Sequence, residues 1–107
     1  MRRGEVLRLR APRNARGHEQ RGERLSVVVQ AGDLLALSTV LVAPTSTRAR
    51  AASFRPEIDV EGTRTRVLVE LMAAIDPARL GESRGMLSWE EISAVDRALK
   101  TVLGLAR

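Results

Sequence analysis

From Glu5 to Arg10 the chain alternates, with Leu7 and Leu9 on one side and Arg8 and Arg10 on the other. A period of two predicts a half-buried strand. Residues 11–23 then break into Pro, Gly, Asn and charge, which predicts a long first loop. The loop ends in Gly17-His18-Glu19-Gln20-Arg21-Gly22-Glu23-Arg24 and runs straight into Leu25-Ser26-Val27-Val28-Val29, so residues 25–30 are the second predicted strand. A polar, glycine-punctuated loop delivered onto a stiff strand holds reactive side chains at the rim of a core.

Residues 31–37, with Gly32 and Asp33 ahead of Leu34 and Leu35, predict a connection containing one helical turn. Thr39–Ala43 is a third strand, and Pro44, which lacks an N–H for a ladder, marks its expected end. Thr45, Ser46, Thr47 and Arg48 follow, three hydroxyls and a cation in a row. Turn capping accounts for one or two of those hydroxyls. Residues 48–56 read as a second loop, Glu57–Val60 as a short strand, Glu61-Gly62 as a turn, and Arg66–Met72 as the most apolar later strand. Asp76-Pro77 opens a brief helical turn that Gly81 ends. Ser88-Trp89-Glu90-Glu91 is a capping box, with Ile92, Val95, Leu99 and Val102 at helical spacing and Gly104 as the stop. The pattern predicts one domain over residues 1–107, α+β but mainly β. Its expected form is a small, strongly bent antiparallel sheet or barrel of about five strands sealed by a terminal helix.

Composition adds constraints. The 107 residues contain no Tyr, and Phe54 and Trp89 are the only aromatics, so the core is aliphatic and base stacking is weak. Lys and Arg number 18 against 13 Asp and Glu, a net charge of +5, and Lys100 is the only lysine. An arginine excess suits phosphate and points to an anionic partner, nucleic acid first. A GC-rich coding bias explains the same excess equally well. Eight arginines and three glutamates fall between Arg2 and Arg24, so the opening of the chain carries the cationic surplus. The absence of cysteine excludes disulfides, zinc thiolates and thiol nucleophiles. Apolar stretches too short for a bilayer, and a start without a signal-like segment, lead us to expect a cytoplasmic protein.

Candidate chemistry is narrow. His18 is the only histidine and no acidic pair has ligand spacing, so no metal or cofactor is expected. A Ser46–His18–acid hydrolase lacks a nucleophile elbow, and no phosphate-cradling glycine loop is present. Glu19, Arg24, His18 and the hydroxyls at 45–47 remain, and they suit phosphoryl transfer on RNA. Such cleavage needs a base for the 2′-OH, an acid for the leaving 5′-oxygen, and cations for the charge gathering on phosphorus. Glu19 fits the base, Arg24 the cationic clamp and Ser46 a donor to a phosphate oxygen. His18 is a natural acid and stands second to Glu19 and Arg24. Arg24 acts as acid or base itself only in a special environment.

At these residues the chain resembles the MazF/PemK-like toxins of type II toxin–antitoxin systems. Arg3-Gly4-Glu5-Val6 resembles the family's RGEV or RGDV opening, and Gly17 to Arg24 its G-[SH]-E-Q-x-G-x-R loop. Thr39 to Ser46 is similar to its third strand and following hydroxyl. Val69–Leu80 and Leu87–Leu105 are similar to its later segment and final helix. The resemblance implies an SH3-like, MazF/CcdB-like barrel, a homodimer, and an mRNA interferase. Such an enzyme is a sequence-specific, metal-independent endoribonuclease that cuts single-stranded RNA (mRNA, or tRNA or rRNA) to 2′,3′-cyclic phosphate and 5′-hydroxyl ends. It implies that Arg24 and Ser46 carry the reaction, with Glu19 and Gln20 shaping the site. The expected RNA-contacting set is Arg16, Gly17, His18 and Gln20 before the second strand, and Thr45, Thr47 and Arg48 after the third. The implied second partner is an acidic antitoxin that folds onto a basic groove. The chain departs from the family at Leu7 (usually aromatic), near Arg10 (Asp), at Leu25 (Pro), and at Leu71 and Ala73, where the family has Gln and Arg. Those last two keep a second reading open: a non-catalytic module on the same barrel, either an antitoxin-binding remnant or a gyrase-directed toxin.

Overall fold

The computed structural model describes residues 1–10 and 24–106. The predicted first loop, with Arg16, Gly17, His18, Glu19 and Gln20, therefore lies outside the described residues. The strands are β1 (Glu5–Leu9), β2 (Leu25–Val28), β3 (Val40–Ser46), β4 (Glu57–Val60), β5 (Thr63–Val67), β6 (Ala73–Ile75) and β7 (Leu80–Met86), followed by the helix α1 (Trp89–Val102). They form one antiparallel sheet in the order β4-β5-β3-β2-β1-β7, with β6 also paired to β3. This is the expected curled, mainly antiparallel sheet with a single terminal helix, built from seven strands rather than about five.

β3 organises the sheet by serving three neighbours. On one side it pairs with β2, Val28 opposite Val42 and Ser26 opposite Pro44. On the other it pairs first with β6, Val42 opposite Ala73, and then with β5, Thr45 opposite Val67. Between those two partners the Val69–Leu71 segment makes a 3-10 turn, with Leu71 N–H donating to Leu68 O at 3.0 Å and Met72 N–H to Val69 O at 3.1 Å. The single strand expected over residues 66–72 thus stops at Val67, and the rest of that run is the turn leading into β6. Val69 is fully buried beneath α1, and the bend lets consecutive segments share one edge of β3.

Pro44 does not end β3, and its register shows why. Its carbonyl accepts from Leu68 N–H at 2.8 Å, so its nitrogen faces the same side, toward the 3-10 turn where the ladder is already interrupted. A missing donor costs little there. The strand β7 was also not expected, since Gly81 reads as a stop. Gly81 and Gly85 interrupt its apolar pattern, and Glu5, Leu7 and Leu9 of β1 face Met86, Ser83 and Leu80. β7 spends three residues for every two of β1, and bulges of that kind sharpen the curl.

The curl gives two buried layers. Inside lie Val6, Val27, Val29, Ala43, Ile58, Val67 and Val69, closed by Val95 and Ala98 of α1. Outside, Leu7, Val28, Val40, Val42 and Ile75 pack together with Leu35, which caps the short 3-10 turn Gly32–Leu34. The period of two in β1 correctly puts Leu7 and Leu9 together, but Val6 on the opposite face is buried as well. The alternation expected of a half-buried strand therefore holds on one side only.

The helix starts as predicted. Ser88 Oγ accepts from Glu91 N–H at 3.1 Å while Glu91 Oε1 accepts from Ser88 N–H at 2.8 Å. Glu91 Oε2 takes a second load, accepting from Asp59 N–H of β4 at 2.7 Å. At the other end Gly104 adopts φ +72°. Asp76 caps the Pro77–Arg79 turn through Ala78 N–H at 2.9 Å, also as predicted. Trp89, the first residue of α1, is 76 % exposed. Among the described residues no helix is long and apolar enough to cross a membrane.

Candidate active site

Where β3 ends, β2 begins and the β4–β5 hairpin folds over, the curled sheet leaves a groove of about 1030 Å³. Arg24, Thr45, Ser46, Thr47 and Arg48 all line it. Every predicted site residue that the structure describes is therefore in one place.

Each is positioned by its backbone. Arg24 O accepts from Leu9 N–H at 2.8 Å, which pins the residue against β1 and leaves the guanidinium exposed. Ser46 closes β3 opposite Arg66. Its Oγ accepts from Arg48 N–H at 3.2 Å, so its own hydrogen is left to donate into the groove. Thr45 points to the inner face, and its hydroxyl donates to Leu25 O over a long 3.5 Å. The hydroxyl that caps the turn, as the sequence anticipates, is that of Ser46, whereas Thr45 bonds across to β2 and Thr47 lies exposed at the rim.

Several arginines outside this part of the groove are matched: Arg3 to Asp96 at 2.7 Å, Arg55 to Glu70 at 2.7 Å, and Arg64 and Arg66 to the two oxygens of Glu57 at 2.7 Å each. No carboxylate among the described residues pairs with Arg24 or Arg48. With carboxylates taken up elsewhere, these two cations keep their full field in a concave site, where field lines concentrate. Guanidinium groups and a hydroxyl donor around a cleft bind a phosphodiester and stabilise added charge on its oxygens.

The other end of the groove was not foreseen. Val60, Glu61, Thr63 and Thr65 from the β4–β5 hairpin line it, with Leu71 and Arg84. Glu61-Gly62 is legible only as a turn. Both residues take positive φ, 51° and 87°, so the reversal is tight and sets Glu61 3.5 Å from Arg84 across the mouth. Leu71 presents an apolar side chain, 57 % exposed, to the groove. Ala73 opens β6, also exposed.

The comparisons agree with this architecture. Residues 2–103 match the model of the PemK-like, MazF-like toxin of type II toxin–antitoxin systems. A Mycobacterium tuberculosis protein named as a candidate toxin is 41 % identical over 104 residues, covering 96 % of this chain and 97 % of that protein. Among solved structures, a mycobacterial endoribonuclease in complex with its cognate antitoxin superposes with TM-score 0.82 at 17 % identity, covering 100 % of this chain and 98 % of that one. MazF from Deinococcus radiodurans gives TM-score 0.76 at 21 % identity, with 97 % and 96 % covered. Those two likenesses concern the fold, whereas the sequence match runs through the groove residues and over nearly the whole chain, and on it this protein belongs to the PemK-like, MazF-like toxin family of type II toxin–antitoxin systems.

Proposed function

We propose that this toxin is an endoribonuclease that cuts single-stranded RNA without a metal ion. The observation that carries the reading is the convergence of Arg24, Ser46, Thr47 and Arg48 on one groove, where neither Arg24 nor Arg48 has a carboxylate partner among the described residues. The 2′-oxygen of the nucleotide before the cut attacks phosphorus as Glu19 takes its proton. The bond from phosphorus to the 5′-oxygen breaks, and that oxygen leaves protonated, with His18 as the donor. Arg24 and Ser46 hold the non-bridging oxygens as they gain charge. The products are a 2′,3′-cyclic phosphate and a 5′-hydroxyl, with no net oxidation or reduction. Gln20, Gly17, Arg16, Thr45 and Thr47 position the strand.

The working form is a cytoplasmic homodimer neutralised by an acidic antitoxin. Leu34, Leu37 and Leu41 are exposed around Gln30, which bridges Leu34 O at 2.7 Å and Leu41 N–H at 2.9 Å, an apolar face suited to a second copy. The net charge of +5 suits both the RNA and an acidic tail. The test is incubation of the full chain with mixed single-stranded RNA in EDTA, beside Arg24→Ala, with mapping of the ends. Discrete cuts with cyclic-phosphate ends, absent in the variant, are expected. Cleavage that survives Arg24→Ala or requires Mg²⁺ would overturn the assignment. One observation favours the second reading, an antitoxin-binding module: Leu71 offers the groove no hydrogen bond where the family has an amide. Tight antitoxin binding with no cleavage of any RNA would establish it instead.

A further inference from the structure

Away from Ser46 the groove changes character at the hairpin. Thr65 lies opposite Ile58 in the β4–β5 pair, so its side chain points to the inner face of the sheet. The residue is only 6 % exposed, and its Oγ1 is buried with no hydrogen-bond partner among the described residues. An unpaired buried hydroxyl is costly and calls for an explanation. Thr65 nonetheless lines the groove, beside the buried apolar side chain of Val60. The sliver it exposes comes from its other atoms. Because Oγ1 holds no bond among the described residues, a change of χ1 breaks none there. At the rim, Arg84 stands 3.5 Å from Glu61 and 3.1 Å from Glu82.

These features select against one ligand and for another. A phosphate here meets two carboxylates beside its cation, so the charge that favours phosphate at Arg24 and Arg48 is cancelled. A neutral, planar heterocycle fits instead. Val60 gives an apolar floor, the Thr65 hydroxyl serves one polar edge, and the Arg84–Glu61 pair supplies both a donor fork and an acceptor. We propose that this end of the groove is a subsite for one unpaired nucleobase flanking the linkage held at Arg24 and Ser46, with Thr65 reading its edge. The inference rests on the groove being an RNA site.

The experiment uses the full chain and short single-stranded RNAs carrying each of the four bases at every position around the cut. Cleavage is measured on all-ribose strands, and affinity on matched strands with a 2′-deoxy sugar at the attacking position. The wild type is expected to favour one base by about tenfold or more at one position. Thr65→Val, which has the same shape and replaces an unpaired oxygen by a methyl, folds and lowers that ratio toward one while leaving preferences elsewhere intact. Thr65→Ser keeps the ratio. Unchanged preferences in Thr65→Val overturn the proposal. Should that variant fail to fold, Arg84→Gln reads the same position, and an unchanged preference there overturns it equally. Base-selective binding without cleavage would sink the nuclease reading and leave the subsite to be judged by the affinity ratios. No RNA binding at all would sink both.

Discussion

Arg24 is fixed through its backbone and offers only its side chain to the groove, so its charge can be removed without touching the fold. Arg24→Ala is expected to leave stability within about 0.5 kcal/mol of wild type and to lower kcat on a defined oligonucleotide by about 10²–10³-fold. Ser46→Ala removes a neutral donor and the acceptor for Arg48 N–H, and should cost about ten- to a hundredfold in the same assay. Gly4→Ala reverses the pattern. Gly4 has φ +88°, and an added Cβ would stand 2.9 Å from Ile92 Cδ1 on α1. A loss of about 1–3 kcal/mol is expected there, read as a lowered urea midpoint, with per-molecule activity retained below it. At this scale the sequence exposes what order alone conveys, such as a loop arginine and a run of hydroxyls after a strand. Thr65 and Arg84 stay hidden because an inward hydroxyl on one strand and a cation on another meet only once the sheet has curled.

At the scale of elements, Glu91 joins two parts of the fold with one carboxylate. One oxygen completes the helix cap and the other satisfies an edge donor of β4, which also guards that edge against pairing with another chain. Glu91→Ala should therefore cost more than the usual cap. The expected loss is about 1–2 kcal/mol, against about 1 kcal/mol for Ser88→Ala, and each kcal/mol lowers Tm by roughly 4–8 °C in a domain of this size. The cap itself, the Glu61-Gly62 reversal and the Asp76-Pro77 turn are legible because each is decided by residues within four positions. The break at Leu68 to Leu71 and the strand β7 are not, because β3 imposes them. An apolar run from 66 to 72 has no local reason to bend, and a strand holding two glycines has no local reason to form, until a partner fixes its register.

For the whole molecule, electrostatics is shaped by where carboxylates are used up. RNA affinity should fall linearly in log–log form as salt rises, and Arg48→Ala should reduce that slope by about one while weakening all sequences alike. Fluorescence anisotropy at several KCl concentrations checks both, and sedimentation of the same samples reads the expected dimer. The experimenter inherits one consequence of how α1 is set. Trp89 is the only tryptophan, no tyrosine accompanies it, and its ring already lies largely in water at the head of the helix. Its emission is that of hydrated indole whether the core is folded or not. Unfolding must be followed through backbone dichroism, and a blue shift of that emission reports something settling on the outer face of α1.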